Sequence, residues 1–187
     1  MSHTLTASDR SSLIRLASTM PVGSPERKAI LAGLSREAAL EVNVPGKHIL
    51  GDAEVSGNAR VYDRAKVSGD AYVGGNAWVY GVAKVFGNAR VYDNAEVYGK
   101  AQVSGKALVS GKAYVSGKAY VSGDAYVSGG AYVSGDARVS GYAKVYGDAR
   151  VYGVASIGGT AVIVGGEWDG SEGEILSGRW KAPGVPV

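Results

Sequence analysis

The chain has 187 residues, a formal net charge of +3, 29 glycines, 12 tyrosines and no cysteine. The lack of cysteine excludes disulfides and thiolate metal sites, and no apolar run reaches the length of a transmembrane helix. No basic segment followed by an apolar one opens the chain, so we expect no secretory signal and a cytoplasmic location. The basic and acidic residues nearly balance, which makes a nucleic acid partner unexpected.

Residues 1–46 are predicted to form a short helical hairpin. A first apolar stripe has helical spacing: Leu13, Leu16, Ala17 and Met20. After a break, the segment 24–26 (Ser-Pro-Glu) has the N-cap, proline and acid that begin a second helix. We expect this hairpin to cap the open end of the repeat that follows. The alternative is a docking element for other structural proteins.

Residues 12–31 (SLIRLASTMPVGSPERKAIL) are similar to N-terminal segments of some tailed-phage structural proteins. This resemblance implies a component of a virion.

A six-residue repeat runs without interruption from Gly51 to Val164, over nineteen hexads. Its unit is Gly-(Asp/Asn/Lys)-Ala-x-Val-(Ser/Tyr). Ala and Val lie two positions apart, so both point to one side of a strand and x points to the other. Gly supplies the positive φ of a corner, and Asp, which replaces it at Asp63 and Asp93, tolerates that conformation. Such short strands are stable only when stacked, so we expect every hexad Ala and Val to be buried.

The repeat resembles that of the hexapeptide-repeat proteins, which fold as a left-handed parallel β-helix with three hexads in each triangular coil. The resemblance implies an all-β solenoid of about six coils over residues 47–166. The family includes acyltransferases, in which a His base lies near a loop that breaks the repeat, and it also includes a class of zinc carbonic anhydrases. In this chain no loop breaks the hexads, and two histidines cannot form a three-His zinc site.

His48, beside the first hexad, is the one weak candidate for a catalytic base; His3 lies far from the repeat. The preferred interpretation is a partly exposed imidazole at the junction, with no catalytic role. No metal or other cofactor is expected.

Outward positions of consecutive hexads predict a belt of large side chains around the prism: Leu108, Tyr114, Tyr120, Tyr126 and Tyr132. Consecutive corner positions just before it predict a basic ring: Lys100, Lys106, Lys112 and Lys118. The belt has two main interpretations. In the first, its residues simply suit outward strand positions; in the second, they form a subunit interface, where Tyr is enriched. The family packs three prisms side by side, which implies a homotrimer. Glycan binding on the tyrosine surface is a third alternative.

Two further sets of residues follow the period of the repeat. Tyr62, Tyr80 and Tyr98 lie three hexads apart and are expected to stack on one edge. Three corner acids recur in every second hexad, so they fall on different corners and are interpreted as turn residues: Asp124, Asp136 and Asp148.

Residues 167–187 are predicted to form a cap and an extended tail, with Trp168 and Trp180 plugging the end of the prism. Together these features favour a non-enzymatic structural or assembly protein: a rigid prism in a homotrimer, with a phage virion as its candidate setting. The alternatives are an acyltransferase-like enzyme and a carbohydrate-binding module.

Overall fold

The computed structural model describes residues 48–182 and 185–186, which form a parallel β-solenoid of about seven turns. All regular elements of this part are strands; it contains no helix that could cross a membrane. The helical hairpin predicted over residues 1–46 lies outside the described residues.

Twenty-four strands follow one another along the described residues, most of them two residues long. Their bounds are β1 Ile49–Leu50, β2 Glu54–Val55, β3 Arg60–Val61, β4 Lys66–Ser68, β5 Tyr72–Val73, β6 Trp78–Val79, β7 Lys84–Val85, β8 Arg90–Val91, β9 Glu96–Val97, β10 Gln102–Val103, β11 Leu108–Val109, β12 Tyr114–Val115, β13 Tyr120–Val121, β14 Tyr126–Val127, β15 Tyr132–Val133, β16 Arg138–Val139, β17 Lys144–Val145, β18 Arg150–Val151, β19 Ser156–Ile157, β20 Val162–Ile163, β21 Glu167–Trp168, β22 Glu174–Ile175, β23 Arg179–Ala182 and β24 Val185–Pro186.

Every third strand joins the same sheet, so the coil has three faces. The first face is β1-β4-β7-β10-β13-β16-β19-β22, the second is β2-β5-β8-β11-β14-β17-β20-β23-β24, and the third runs from β3 to β21 in steps of three strands. Partners within a face lie three hexads apart in the chain, as in the parallel pairing of Tyr114 with Tyr132. Three hexads therefore make one coil, as the resemblance implies.

The interior consists of the Ala and Val columns. From Ala59 to Ile163 each of these side chains is at most 3% exposed, which confirms their predicted burial. Ala53 and Val55 of the first hexad are only partly buried.

The corners need glycine for two reasons. Gly117 has a φ of 65°, and a Cβ placed there would lie 2.8 Å from the backbone nitrogen of Gly135 in the next coil. Asp63 and Asp93 adopt the same conformation, with φ of 59° and 60°. The Asp63 carboxylate accepts a hydrogen bond from the Gly81 amide at 3.1 Å, and Asp93 accepts the equivalent bond from Gly111 at 3.0 Å. A hydrogen bond to the next coil therefore offsets part of the strain of a side chain at this position.

The solenoid extends beyond the hexads, which gives about seven turns instead of the predicted six. Strands β21, β22 and β23 each add to one face, where a cap and an extended tail were expected. Trp168 pairs with Val151 and Trp180 with Ile163, so both indoles take inward positions. Their rings meet edge to face at 6.4 Å, and each Nε1 donates to a carbonyl three residues earlier. Trp168 lies in the last described strand of the third face, whereas β24 follows the strand of Trp180 on the second face.

Candidate interaction surface

His48 is buried, in contrast to the partly exposed position expected from the sequence. Only 1% of its surface is exposed, and its Nδ1 lies 3.2 Å from the carbonyl oxygen of Ala65, a distance at which an Nδ1 proton is donated to that oxygen. Its Nε2 has no hydrogen-bond partner among the described residues. A general base must contact the group whose proton it takes, and this imidazole offers almost no surface for such a contact.

The predicted tyrosine belt is divided among the three faces. Tyr120 lies on the first face, Leu108 and Tyr126 lie side by side on the second, and Tyr114 and Tyr132 lie side by side on the third. Only the pair on the third face forms a ring stack, with centroids 4.6 Å apart. Tyr126 and Tyr132 are the most exposed of the five residues, at 36% and 39%. The belt therefore supplies three separate patches, of which the one on the third face is aromatic in two adjacent coils.

The predicted lysine ring occupies all three edges. Lys100 and Lys118 lie on the edge between the third and first faces, Lys106 on the edge between the first and second, and Lys112 on the remaining one. Lys118 Nζ is 3.6 Å from a carboxylate oxygen of Asp136 in the next coil. Both side chains are well exposed, so the pair contributes between about 0 and 1 kcal/mol. The lysines are thus solvated edge residues, and Asp136 already has a partner within its own chain.

The third face carries most of the aromatic contacts of the solenoid. Tyr62, Tyr80 and Tyr98 form a continuous stack on it, with centroids 5.2 and 5.0 Å apart and nearly parallel rings. Trp78 meets Tyr62 edge to face at 6.5 Å. Parallel strands keep identical columns one above another, so side chains one coil apart can stack. The expected stacking of the three tyrosines is confirmed, and it belongs to a wider aromatic surface.

Charged residues of both signs are interleaved with these rings. The Arg60 guanidinium lies 5.7 Å from the Trp78 ring centroid, a cation–π distance. The Tyr80 hydroxyl donates to Glu96 at 3.1 Å. Near the last coil, Arg150 pairs with Glu167 at 3.3 Å.

Four phenols of the third face have a raised pKa. Burial, followed by the hydrogen bond to Glu96, raises the pKa of Tyr80 well above its ordinary value. Lost hydration also raises the pKa of Tyr62, Tyr132 and Tyr152, with nearby carboxylates adding to the effect. These hydroxyls therefore remain donors throughout the neutral and mildly alkaline range.

A polar ladder occupies the edge between the second and third faces. Asn58 Nδ2 donates to Asn76 Oδ1 at 3.1 Å, and Asn76 donates in the same way to Asn94 at 3.3 Å. The side-chain amides of these residues are therefore hydrogen-bonded to one another from coil to coil. No group of His, Asp and Glu within the described residues is arranged to hold a metal ion.

The composition of the third face was missed when the outward residues were read hexad by hexad. The signal is the spacing of three hexads, which gives Arg60, Trp78, Glu96, Tyr114, Tyr132 and Arg150 in order along one column. A comparison with protein-family models, curated proteins and solved structures finds no match for this chain.

Proposed function

We propose that this chain is a non-enzymatic structural or assembly protein of the hexapeptide-repeat type. The observation that carries the proposal is the uninterrupted solenoid from Gly51 to Val164, in which no loop leaves the coil to form a site. Rigid stacked coils set a fixed distance between their ends and offer continuous lateral surfaces. The resemblance further supports a left-handed coil, which a crystal structure of the chain would decide.

The enzymatic alternative is tested through His48. We expect no transfer of an acetyl group from acetyl-CoA to small amines or sugars, since His48 is the weak candidate base and it is buried. The measurement is release of free CoA by the purified full chain, compared with the His48→Ala variant. Turnover by the wild-type chain that disappears in His48→Ala would overturn the proposal.

Carbohydrate binding receives less support from the geometry of the rings. Stacking of a sugar needs an exposed ring face, and in the stack on the third face Tyr80 has a tyrosine ring on each side. The rings therefore turn edges and hydroxyls outward. A glycan array on the full chain tests this point, and specific binding abolished by Tyr80→Ser would favour the carbohydrate-binding function.

The same proposal includes self-association of prisms side by side. The exposed rings of Trp78, Tyr126 and Tyr132 support it, because large aromatic side chains on a surface are typical of interfaces. The trimer that the resemblance implies stays a prediction, as does contact with other structural proteins through residues 1–46. Light scattering on the full chain decides the number of copies.

A place in a phage virion is the biological setting that we propose, on the resemblance of residues 12–31 alone; the chain would otherwise act in the cytoplasm. Mass spectrometry of purified phage particles tests it. Detection of the chain at a fixed ratio to the tail proteins is the expected result.

A further inference from the structure

The third face differs from the other two faces in its balance of charge. Its outward column carries two arginines and two glutamates, so it is neutral: Arg60, Trp78, Glu96, Tyr114, Tyr132, Arg150 and Glu167. The outward column of the second face has three cations and one acid among its residues, and that of the first face also has three cations and one acid. Two copies meeting through either of those faces would bring like charges together. The third face is therefore the face best suited to meet itself.

The seven strands of the third face form seven rows, from β3 at row one to β21 at row seven, with β12 at the centre. A two-fold axis lying along β12 would place a second copy face to face and antiparallel, as a C2 interface does with one surface patch. Row one then lies opposite row seven, row two opposite row six, and row three opposite row five. The outward column of one copy meets the outward column of the other.

We propose that the third face binds the third face of a second copy in this antiparallel arrangement; the inference rests on the self-association included in the proposed function. At each end of the contact, Arg60 lies opposite Glu167 of the partner copy. Trp78 lies opposite Arg150 of the partner copy. Because Arg60 already lies over Trp78 and Arg150 already pairs with Glu167 within one chain, these four residues form one cluster of alternating charge around an indole.

The centre of the contact is aromatic. Tyr114 lies on the axis and meets Tyr114 of the partner copy, where the existing stack with Tyr132 extends across the interface. Glu96 of row three lies opposite the hydroxyl of Tyr132 in row five of the partner copy, which gives the carboxylate a second phenol besides Tyr80. No charge meets a charge of its own sign in any of these rows.

The neighbouring column, one residue beyond the inward Val, matches in the same way. Tyr62 of row one lies opposite Asp169 of row seven, where the phenol hydroxyl can donate to the carboxylate. Tyr80 lies opposite Tyr152 of the partner copy. In a parallel pair, by contrast, rows of equal height meet, and Glu167 of one copy would lie against Asp169 of the other. Two independent columns thus favour the antiparallel arrangement.

The area of the face suits a reversible pair. Seven rows at about 4.8 Å give a length of about 30 Å, and six residues per side give a width of about 18 Å. The two copies together would bury about 1,100 Å², near the lower limit for specific complexes. A dissociation constant in the micromolar range is therefore expected, and dimers should predominate at about 100 µM.

Charge reversal on the full chain tests the arrangement. Sedimentation velocity on wild-type protein should give a dimer at about 100 µM. Arg60→Glu alone should raise the dissociation constant of the dimer by about tenfold, because the introduced carboxylate would meet Glu167 of the other copy at both ends of the contact. Glu167→Arg alone should have the same effect, because an arginine would then meet Arg60 of the other copy at both ends. An equimolar mixture of the two variants should restore association, because each contact in the mixed pair joins opposite charges. Restoration by mixing is specific to an arrangement that places row one against row seven.

A matched pair of central variants identifies the face. Tyr114→Glu places two like charges on the axis and should abolish the dimer, whereas Tyr142→Glu, the same change at an exposed tyrosine on the edge between the first and second faces, should leave it unchanged. Circular dichroism shows that each variant is folded. A monomeric wild-type chain would overturn both the pairing and the self-association in the proposed function. A trimer, or a mixture that fails to associate, would leave self-association standing and overturn the antiparallel pairing.

Discussion

The first and third faces of the solenoid share one backbone and differ in everything that points outward. On both, the inward columns are mainly Ala and Val, and each strand pairs with the strand one coil away. The outward column of the first face is polar and carries a net positive charge, with Tyr120 as its one large aromatic ring, whereas that of the third combines charges of both signs with stacked aromatics. The inward residues therefore specify the coil, and the outward residues are free to specify what each face meets.

The largest effect is expected where a change attacks the inward column itself. Val109→Asp buries a carboxylate at a fully buried position with no partner, which costs several kcal/mol, about 3 or more. The free energy of unfolding from urea denaturation, followed by circular dichroism, measures it. Leu108→Asp is the control, because the neighbouring side chain points outward and is only half-buried. Equal loss of stability in the two variants would contradict the assignment of inward and outward columns.

An intermediate effect is expected at a corner. Gly117→Ala places an L side chain at a positive φ, with its Cβ only 2.8 Å from the Gly135 nitrogen. The variant should therefore be less stable by about 2 kcal/mol or more. Gly173→Ala has a φ of 77° and no atom within 4 Å of the added Cβ, so only the cost of the conformation, about 1 kcal/mol, applies. Thermal melts of the two variants distinguish the cost of a side chain at positive φ, which both variants share, from the cost of the close contact between coils, which only Gly117→Ala has. A smaller loss at Gly117 than at Gly173 would contradict this explanation.

A small effect is expected from the phenols of the third face. The pKa of Tyr80 is raised in the folded chain, so folding favours the neutral phenol. This contribution to stability is present below the ordinary value of about 10 and is lost as the pH rises through the higher folded value. Absorbance of phenolate during alkaline titration should show a group of tyrosines that ionise late, and Tyr80→Phe should reduce that group. Tyr142→Phe, the same change at an exposed tyrosine on another edge, is the control for the loss of one phenol hydroxyl.

Much of the fold could be predicted from the sequence because the inward residues repeat in every hexad, with Ile replacing Val at Ile157 and Ile163. A Val and an Ala at fixed spacing leave one arrangement in which both are buried, and Asp63 marks a corner as clearly as a glycine does. The last coil was not predicted, because Trp replaces Val and the register shortens there. Arg150 pairs with Glu167 and Val162 pairs with Arg179, each one residue closer than partners within the hexads. The hexad pattern therefore ends before the solenoid does.

The candidate surface was only partly predictable. Reading consecutive hexads gave a belt, and a belt divides its members among three faces, so Tyr120 and Tyr126 have no stacked ring of the belt beside them. Contacts on a solenoid depend on the coil period, which joins Tyr114 to Tyr132 and Arg60 to Trp78. The burial of His48 had no signal in the sequence, because the residue lies outside the hexads.

The constant register has a consequence for how this protein can change in length. Removal or duplication of three consecutive hexads would shift the ends by about 4.8 Å and leave every column on its own face. Removal of a single hexad would shorten the chain less, yet it would move all later outward residues to a different face and divide the third-face pattern in two. The length of this solenoid can therefore change only in steps of one coil if the composition of each face is to be kept. The loss of a single hexad would assign every later outward residue to a different face.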